Sequence, residues 1–250
     1  MFNIEDFFLS FKRENKKGFG LLLDLDKVNL SLIDNLINNI QKADIDFILI
    51  GSSILVNKTT KELVKKLKNH LNIPLILFPG GVSQICFEAD GMLFLSLVSG
   101  RNPQYLIGEH VIAAPLIFKN NFPVIPTAYI LVESGISTTV EFMSNTRPIP
   151  REKSDLAVAH ALAAYYLGMK MIYLEAGSGA KYSVPEEMIK KVSMVLKDIP
   201  LMVGGGIRDK QTIKAKLEAG ADFIVIGNYF EDRDKWEQLH EFTEIVHNFK

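Results

Sequence analysis

The chain has 250 residues, of which 48% are hydrophobic and 23% charged, and its formal net charge at pH 7 is −1. This composition is typical of a globular protein with one sizeable core, and the near-zero net charge gives no electrostatic reason to expect a nucleic-acid partner. The single cysteine, Cys86, excludes an internal disulfide, and its small or apolar neighbours predict a buried thiol without a chemical role.

The N-terminal segment combines charges with aromatic residues. Residues 7–11 (FFLSF) are apolar at nearly every position, which predicts a helix packed on the rest of the protein; contact with a membrane surface is the alternative. Residues 1–18 have no basic n-region followed by an apolar h-region. No uninterrupted apolar stretch approaches the ~20 residues of a transmembrane helix, so we expect a cytoplasmic protein without stable membrane insertion.

Eight short apolar runs alternate with longer amphipathic segments. The runs are residues 20–26, 47–51, 74–80, 91–99, 126–134, 171–177, 200–206 and 223–227. This alternation is typical of parallel βα units. It predicts an α/β protein, a (β/α)8 (TIM) barrel with one domain over residues 1–250. The alternative, an open doubly wound sheet, would place a G-x-G-x-x-G turn after the first run, where residues 24–28 instead read DLDKV.

The segments between the runs predict helices of unequal regularity. Ser183 and Glu186 form an S-x-x-E capping pattern for a helix that ends near Leu196, and Asp209 starts another helix that Gly220 ends. Residues 81–90 predict the weakest helix, and residues 144–153 are a candidate mobile loop. The helix predicted over residues 154–168 is apolar on nearly every face, so we expect a second subunit to cover it in a homo-oligomer.

The active site of a barrel lies at the carboxyl ends of its strands. After the seventh and eighth runs, glycines let backbone amides approach an anion, and the helix N-termini that follow favour negative charge. These glycines are Gly204, Gly205, Gly206 and Gly227. Each loop alone is also explained by a tight turn, but the two in this order predict a phosphate site.

Two carboxylates add reactive groups to the same end of the barrel. Glu175 ends the sixth run, where it can hold a substrate hydroxyl and accept its proton; a structural ion pair is the alternative. Asp24 ends the first run, where a carboxylate needs a metal, a cation or hydrogen-bond donors. With the hydroxyl of Ser52 it offers hard oxygen ligands that suit Mg²⁺, although two oxygens are only half of a site.

Several motifs at these strand ends occur together in one known family. They are residues 24–26 (DLD), 51–52 (GS), 204–207 (GGGI), 226–228 (IGN) and, most specifically, 173–179 (YLEAGSG). Together they resemble the geranylgeranylglyceryl phosphate and heptaprenylglyceryl phosphate synthases, a family of glycerol-1-phosphate prenyltransferases. The resemblance implies Mg²⁺-dependent transfer of a geranylgeranyl or other long prenyl group from its diphosphate to the C3 hydroxyl of sn-glycerol 1-phosphate, which forms an ether lipid precursor.

The resemblance also implies roles for individual residues. It places Mg²⁺ at Asp24 and Ser52, and it makes Glu175 the group that orients and deprotonates the glycerol hydroxyl. Leu22 stands where some members have a lysine, which favours the subgroup that includes bacterial members. The residues implied to hold glycerol 1-phosphate are Tyr173, Leu174, Glu175, Ala176, Gly177, Ser178, Gly179, Gly204, Gly205, Gly227 and Asn228.

The prenyl tail of such a substrate needs an apolar groove. Tyr129 on the fifth run and Phe94 on the fourth are the candidates for its wall, although alternate side chains of a strand face outward. Two other functions stay open from the residues. A sugar-phosphate isomerase on the same fold would use Asp24 and Glu133 as acid and base without a metal, and a non-catalytic barrel would bind a phosphorylated ligand without needing Glu175.

Overall fold

The computed structural model describes residues 2–54 and 60–249. Eight parallel strands close into one barrel, in which each strand pairs with the next in sequence and the last pairs with the first. The strands are β1 Gly18–Asp24, β2 Phe47–Gly51, β3 Leu75–Leu77, β4 Gly91–Leu97, β5 Val124–Leu131, β6 Met171–Glu175, β7 Leu201–Gly204 and β8 Phe223–Ile226. The predicted (β/α)8 barrel is confirmed, and each predicted apolar run overlaps one strand.

Helices connect the strands and surround the barrel. They are α1 Ile4–Arg13, α2 Ile33–Ala43, α3 Thr60–Lys68, α4 Glu109–Lys119, α5 Thr139–Ser144, α6 Ser154–Tyr166, α7 Glu186–Val195, α8 Lys210–Glu218 and α9 Leu239–His247. The fully described segment between β3 and β4 contains a short 3₁₀ turn, Val82–Gln84, in place of an α-helix. The weakness predicted for this helix is therefore confirmed.

Aromatic rings from α1 and two strands fill the amino-terminal end of the barrel. A Cβ atom at Gly18 or Gly20 would lie within 2.6 Å of the ring of Phe223 or Phe47, so β1 makes room for these rings by having no side chain. Phe8 of α1 is fully buried and packs edge-on against both, with ring centroids 5.1–5.2 Å apart. The predicted packing of an N-terminal helix on the barrel is confirmed.

The two predicted helix starts differ in outcome. Asp209 caps α8, because its side chain accepts a hydrogen bond of 2.7 Å from an amide in the first turn. The capping pattern at Ser183 is wrong: α7 begins at Glu186 and has no side-chain cap. The carboxylate that the pattern needs is engaged elsewhere, since Glu186 pairs with Lys216.

Residues 144–153 are fixed to the barrel along part of their length. Ile149 forms a parallel bridge with Val132 just beyond β5. Its amide donates to the carbonyl of Leu131, and its own carbonyl accepts from the amide of Glu133, both at 2.9 Å. The segment predicted as a mobile loop is therefore held by backbone hydrogen bonds at Ile149, which its composition did not indicate.

Two further expectations concern burial and membranes. Cys86 is buried, as predicted, and its thiol lies 3.3 Å from the carboxylate of Glu88. Burial raises the pKa of this thiol, which disfavours the reactive thiolate. Among residues 2–54 and 60–249, no helix has the length and apolar character needed to cross a bilayer.

Candidate active site

One cavity opens at the carboxyl ends of the strands and extends into the barrel. Most of the predicted site residues meet in its wall, although they come from seven separate strands or strand–helix loops. The predicted residues that line it are Asp24, Ser52, Tyr129, Tyr173, Glu175, Gly177, Ser178, Gly179, Gly205, Gly227 and Asn228. The sequence-based hypothesis therefore identified a real cluster in space.

Four predicted residues do not line this cavity, and three of them have side chains that point away from it. The side chains of Leu174 and Ala176 are buried in the outer apolar core, because successive side chains of β6 point to opposite faces and Tyr173 and Glu175 occupy the inner one. Phe94 also points outward, where its ring meets the ring of His110 edge-on with 4.4 Å between centroids. The side chains of Leu174, Ala176 and Phe94 therefore do not line the central cavity, and the binding role predicted for these residues stays a prediction.

Gly204 is needed for its lack of a side chain and does not itself line the cavity. A Cβ atom at this position would lie 2.5 Å from both the hydroxyl of Tyr173 and Oε2 of Glu175. At Gly205 the backbone has φ +79°, and a Cβ atom would lie 2.3 Å from Oε1 of Glu175. The glycine turn after β7 therefore allows the backbone to lie directly against the buried carboxylate.

Residues 177–179 of the loop after β6 line the cavity. Gly177 and Gly179 have φ values of +93° and +75°, which favour glycine, and the amide of Gly177 donates to Oε1 of Glu175 at 2.7 Å. The amides of Ser178 and Gly179 have no acceptor among residues 2–54 and 60–249. Unpaired amides that face a cavity are suitable donors to an anion.

Glu175 is the buried acid of the site, with 5% of its surface exposed. Burial raises its pKa to about 7, while the hydroxyl of Tyr173 and the amides of Gly177 and Ala176 oppose this rise. Tyr173 is fully buried, and its hydroxyl makes no hydrogen bond of normal geometry with a described residue. Burial also raises the pKa of Tyr173, so it remains a neutral donor that a ligand oxygen can engage.

The oxygens proposed for a metal lie across the cavity. Asp24 accepts a hydrogen bond of 3.1 Å from the amide of Asp26, and its other oxygen lies 3.6 Å from Nζ of Lys27. The Ser52 hydroxyl donates to the carbonyl of Ile54 at 2.6 Å, so its lone pairs are available. The described ranges contain no group of three or more acidic, histidine or cysteine side chains that suits a metal. These oxygens fit an Mg²⁺ ion whose remaining ligands are water and phosphate.

Sequence reasoning missed Gln84, which holds the Ser52 segment in place. Its buried side-chain oxygen accepts from the amides of Ser52 and Gly80 at 3.1 and 3.2 Å, and its nitrogen donates to the carbonyl of Ser52 at 2.7 Å. The 3₁₀ turn after β3 thereby connects the ends of β2 and β3. A lone glutamine in a loop gave no signal of this role.

The isomerase alternative requires an acid–base pair that the structure does not form. The side chain of Glu133 is exposed and lies outside the cavity lined by Asp24. Its backbone is instead engaged with Ile149 and with Arg151.

Comparisons with known proteins support the resemblance. The sequence profile described as the PcrB family matches residues 13–246. A geranylgeranylglyceryl phosphate synthase of Flavobacterium johnsoniae is 47% identical, over 90% of this chain and 92% of the relative, and one of Chitinophaga pinensis is 41% identical, over 96% and 94%.

Among solved structures, the (S)-3-O-geranylgeranylglyceryl phosphate synthase from Thermoplasma acidophilum, in complex with substrate sn-glycerol-1-phosphate, superposes with a TM-score of 0.92 at 32% identity. The superposition covers 100% of both chains. The chain therefore belongs to the PcrB family, together with the geranylgeranylglyceryl phosphate synthases to which it is similar.

Proposed function

We propose that this chain transfers a geranylgeranyl or other long prenyl group from its diphosphate to the C3 hydroxyl of sn-glycerol 1-phosphate, with Mg²⁺ as cofactor. One observation carries the proposal. Glu175, a buried carboxylate with a pKa of about 7, lies between glycine turns with unpaired amides and an apolar cavity wall. The names of the relatives agree with this assignment.

The glycine turns are suited to the phosphate of glycerol 1-phosphate. The amides of Ser178 and Gly179 would bind its oxygens, together with backbone of Gly205 and of Asn228, which begins a 3₁₀ turn after β8. A phosphate held there places the glycerol near Glu175. The ionised carboxylate then accepts the proton of the attacking hydroxyl, which is efficient because its pKa is near the working pH.

The diphosphate is assigned to the opposite side, where Asp24 and Ser52 would hold Mg²⁺. When bound there, Mg²⁺ neutralises the charge of the departing diphosphate. The chain contributes by holding the hydroxyl and the allylic carbon within one enclosed cavity, so that the bimolecular reaction becomes effectively unimolecular.

The prenyl tail is assigned to the apolar wall around Tyr129. The ring of Tyr129 lies 5.6 Å from that of Tyr173 and 5.9 Å from that of Phe78, and all three residues line the cavity. A second apolar cavity, which Phe94 lines, shares Tyr105 and Leu95 with the central one. Phe94 therefore enters the proposal only as the wall of an extension beyond Tyr105, where each buried CH₂ contributes about 0.8 kcal/mol.

We also propose that two or more copies of the chain associate through α4 and α6, and that they act in the cytoplasm. Both helices expose large apolar side chains, among them Val111, Phe118, Leu156 and Tyr166. A group of exposed apolar side chains of this kind is typical of a subunit interface. Light scattering at several protein concentrations tests the association, and a monomer at all of them would contradict it.

The reaction is tested by incubating the protein with Mg²⁺, each enantiomer of glycerol phosphate and a series of prenyl diphosphates of increasing length. Mass spectrometry of the products should show a prenyl ether of glycerol 1-phosphate. Its formation should stop when a chelator removes Mg²⁺. Product in the presence of excess chelator would contradict the metal requirement, and no ether product from any pair would contradict the function.

A further inference from the structure

We propose that Lys216 is a positioning residue that, with Arg208 and Arg151, fixes the loop between β6 and α7 in the shape that binds phosphate. The inference rests on the phosphate site of the proposed function and adds three residues to which that function gives no role, of which Arg208 also lines the central cavity. The loop contains Gly177, Ser178 and Gly179 on its first side and residues 180–185 on its return side.

Lys216 is a lysine with an unusual environment. Only 2% of its side chain is exposed, although it lies on α8, a helix that faces solvent along much of its length. Its ammonium group donates to the carbonyl of Val184 at 2.6 Å and to Oε1 of Glu186 at 2.5 Å. Burying an ammonium group is costly unless its hydrogen bonds are made, so these two bonds determine where the loop meets α8.

Two arginines bind the same stretch of backbone from other directions. Arg208, which follows β7, donates to the carbonyls of Ala180 and Lys181 at 2.6 and 3.5 Å. Arg151, which precedes α6, donates to the carbonyl of Ser183 at 2.8 Å. Three cationic side chains from three parts of the chain therefore bind four carbonyls of the return side, and bonds from charged donors are stronger than those between neutral groups.

These bonds also hold the loop against the glycine turn after β7. A Cβ atom at Gly206 would lie 2.9 Å from the amide nitrogen of Ser183, so the two backbones are in direct contact. A loop with two glycines samples many conformations when nothing holds it. Restricting it to a single conformation when a ligand binds costs conformational entropy. Because the return side is fixed in advance, the amides of Ser178 and Gly179 are already placed when phosphate arrives.

The test compares Lys216→Met with Lys214→Met. Lys214 lies on the same helix but is exposed, and its only described ion pair is with Glu218 at 3.9 Å. We expect Lys216→Met to weaken glycerol 1-phosphate binding, measured by calorimetry without prenyl diphosphate, by about tenfold. The KM for prenyl diphosphate should change less than about twofold, and Lys214→Met should resemble the wild type in both.

Hydrogen exchange provides a readout that needs no catalysis. In Lys216→Met, amides of residues 177–184 should exchange faster than in the wild type, while those of β1 to β4 should not change. If the variant does not fold, Arg151→Gln carries the same test, because Arg151 binds the carbonyl of Ser183 from outside the central cavity. The same split between the two substrates is expected.

Three outcomes would overturn the inference. Equal losses for both substrates would show general damage to the barrel. Restoration of binding in the double variant Lys216→Met/Glu186→Gln would assign the defect to an unpaired carboxylate and not to the loop. Unchanged glycerol 1-phosphate affinity would remove Lys216 from the site. The proposed function fails separately, if the wild-type protein does not bind glycerol 1-phosphate.

Discussion

The two sides of the cavity are built from different parts of the chain. At the ends of β6, β7 and β8 the site consists mainly of backbone, with glycines that bring amides to the surface. At the ends of β1 to β5 it consists of side chains such as Asp24, Phe78 and Tyr129. A backbone site needs glycine at fixed positions, so short motifs reveal it, whereas a side-chain wall depends on which face of each strand points inward.

Glu175 combines the two kinds of construction, because its side chain is held in place by backbone amides. Replacing Glu175 should therefore have the largest effect on turnover. We expect Glu175→Gln to lower kcat by about 10²–10⁴ with little change in glycerol 1-phosphate binding. In the wild type, the rate should rise with pH through about 7 as the carboxylate ionises, and the residual rate of the variant should lack this step. A variant that keeps the wild-type pH profile would exclude Glu175 as the base.

Burial of the Glu175 carboxylate should also lower the free energy of unfolding at high pH. Burial raises its pKa from 4.5 to about 7 on folding. Its contribution is therefore fully present below pH 4.5 and is lost as pH rises through about 7, because the unfolded chain then releases the proton more readily. Urea unfolding should show Glu175→Gln gaining stability over the wild type at pH 8–9, by up to about 3 kcal/mol. A difference between the two proteins that is the same at pH 4.5 and at pH 9 would contradict the prediction.

Asp24 tests whether the side-chain half holds the metal. We expect Asp24→Asn to lower turnover by about 10²–10³ at saturating Mg²⁺, the size of effect produced by loss of one preorganised electrostatic group. Calorimetry should show glycerol 1-phosphate binding as in the wild type, because the glycine turns are untouched. Unchanged turnover would remove Asp24 from the metal site.

Two glycine variants distinguish backbone strain from steric collision on the side of the site that consists mainly of backbone. Gly205→Val should abolish glycerol 1-phosphate binding and weaken prenyl diphosphate binding much less, since its side chain would collide with Glu175. Gly179→Ala should weaken glycerol 1-phosphate binding about tenfold, because φ is +75° there and no atom lies within 4 Å, which leaves only backbone strain. Equal loss of both ligands in Gly179→Ala would indicate misfolding.

The smallest effect should come from the boundary of the apolar wall. Tyr105 lines both the central cavity and the cavity beside Phe94. We expect Tyr105→Ala to join them and to shift kcat/KM toward longer prenyl diphosphates by about threefold to tenfold, which corresponds to one or two buried CH₂ groups. Competition between two prenyl diphosphates measures the shift, with Met194→Ala on the exposed face of α7 as the control. A preference that moves equally in both variants would contradict the assignment.

The barrel, the family and most of the backbone site could be predicted from the sequence. Periodicity located the strands, and the glycines at residues 204–206 and in YLEAGSG located the phosphate turns. The outward direction of the side chains of Leu174, Ala176 and Phe94 could not be predicted, because a motif does not say which face of a strand points inward. Gln84, Lys216 and Arg208 were missed because each acts on a carbonyl or amide far away in the sequence, and such contacts leave no local pattern.

The aromatic packing at the amino-terminal end of the barrel also restricts how substrates enter and how products leave the enzyme. Phe8, Phe47 and Phe223 close that end, so the cavity has its entrance among the loops that follow the strands. Under the proposed function, a long lipid product must then leave through the opening that admits the next prenyl diphosphate. Release of the product and binding of the next prenyl diphosphate cannot occur at the same time. The product should therefore compete with the incoming diphosphate.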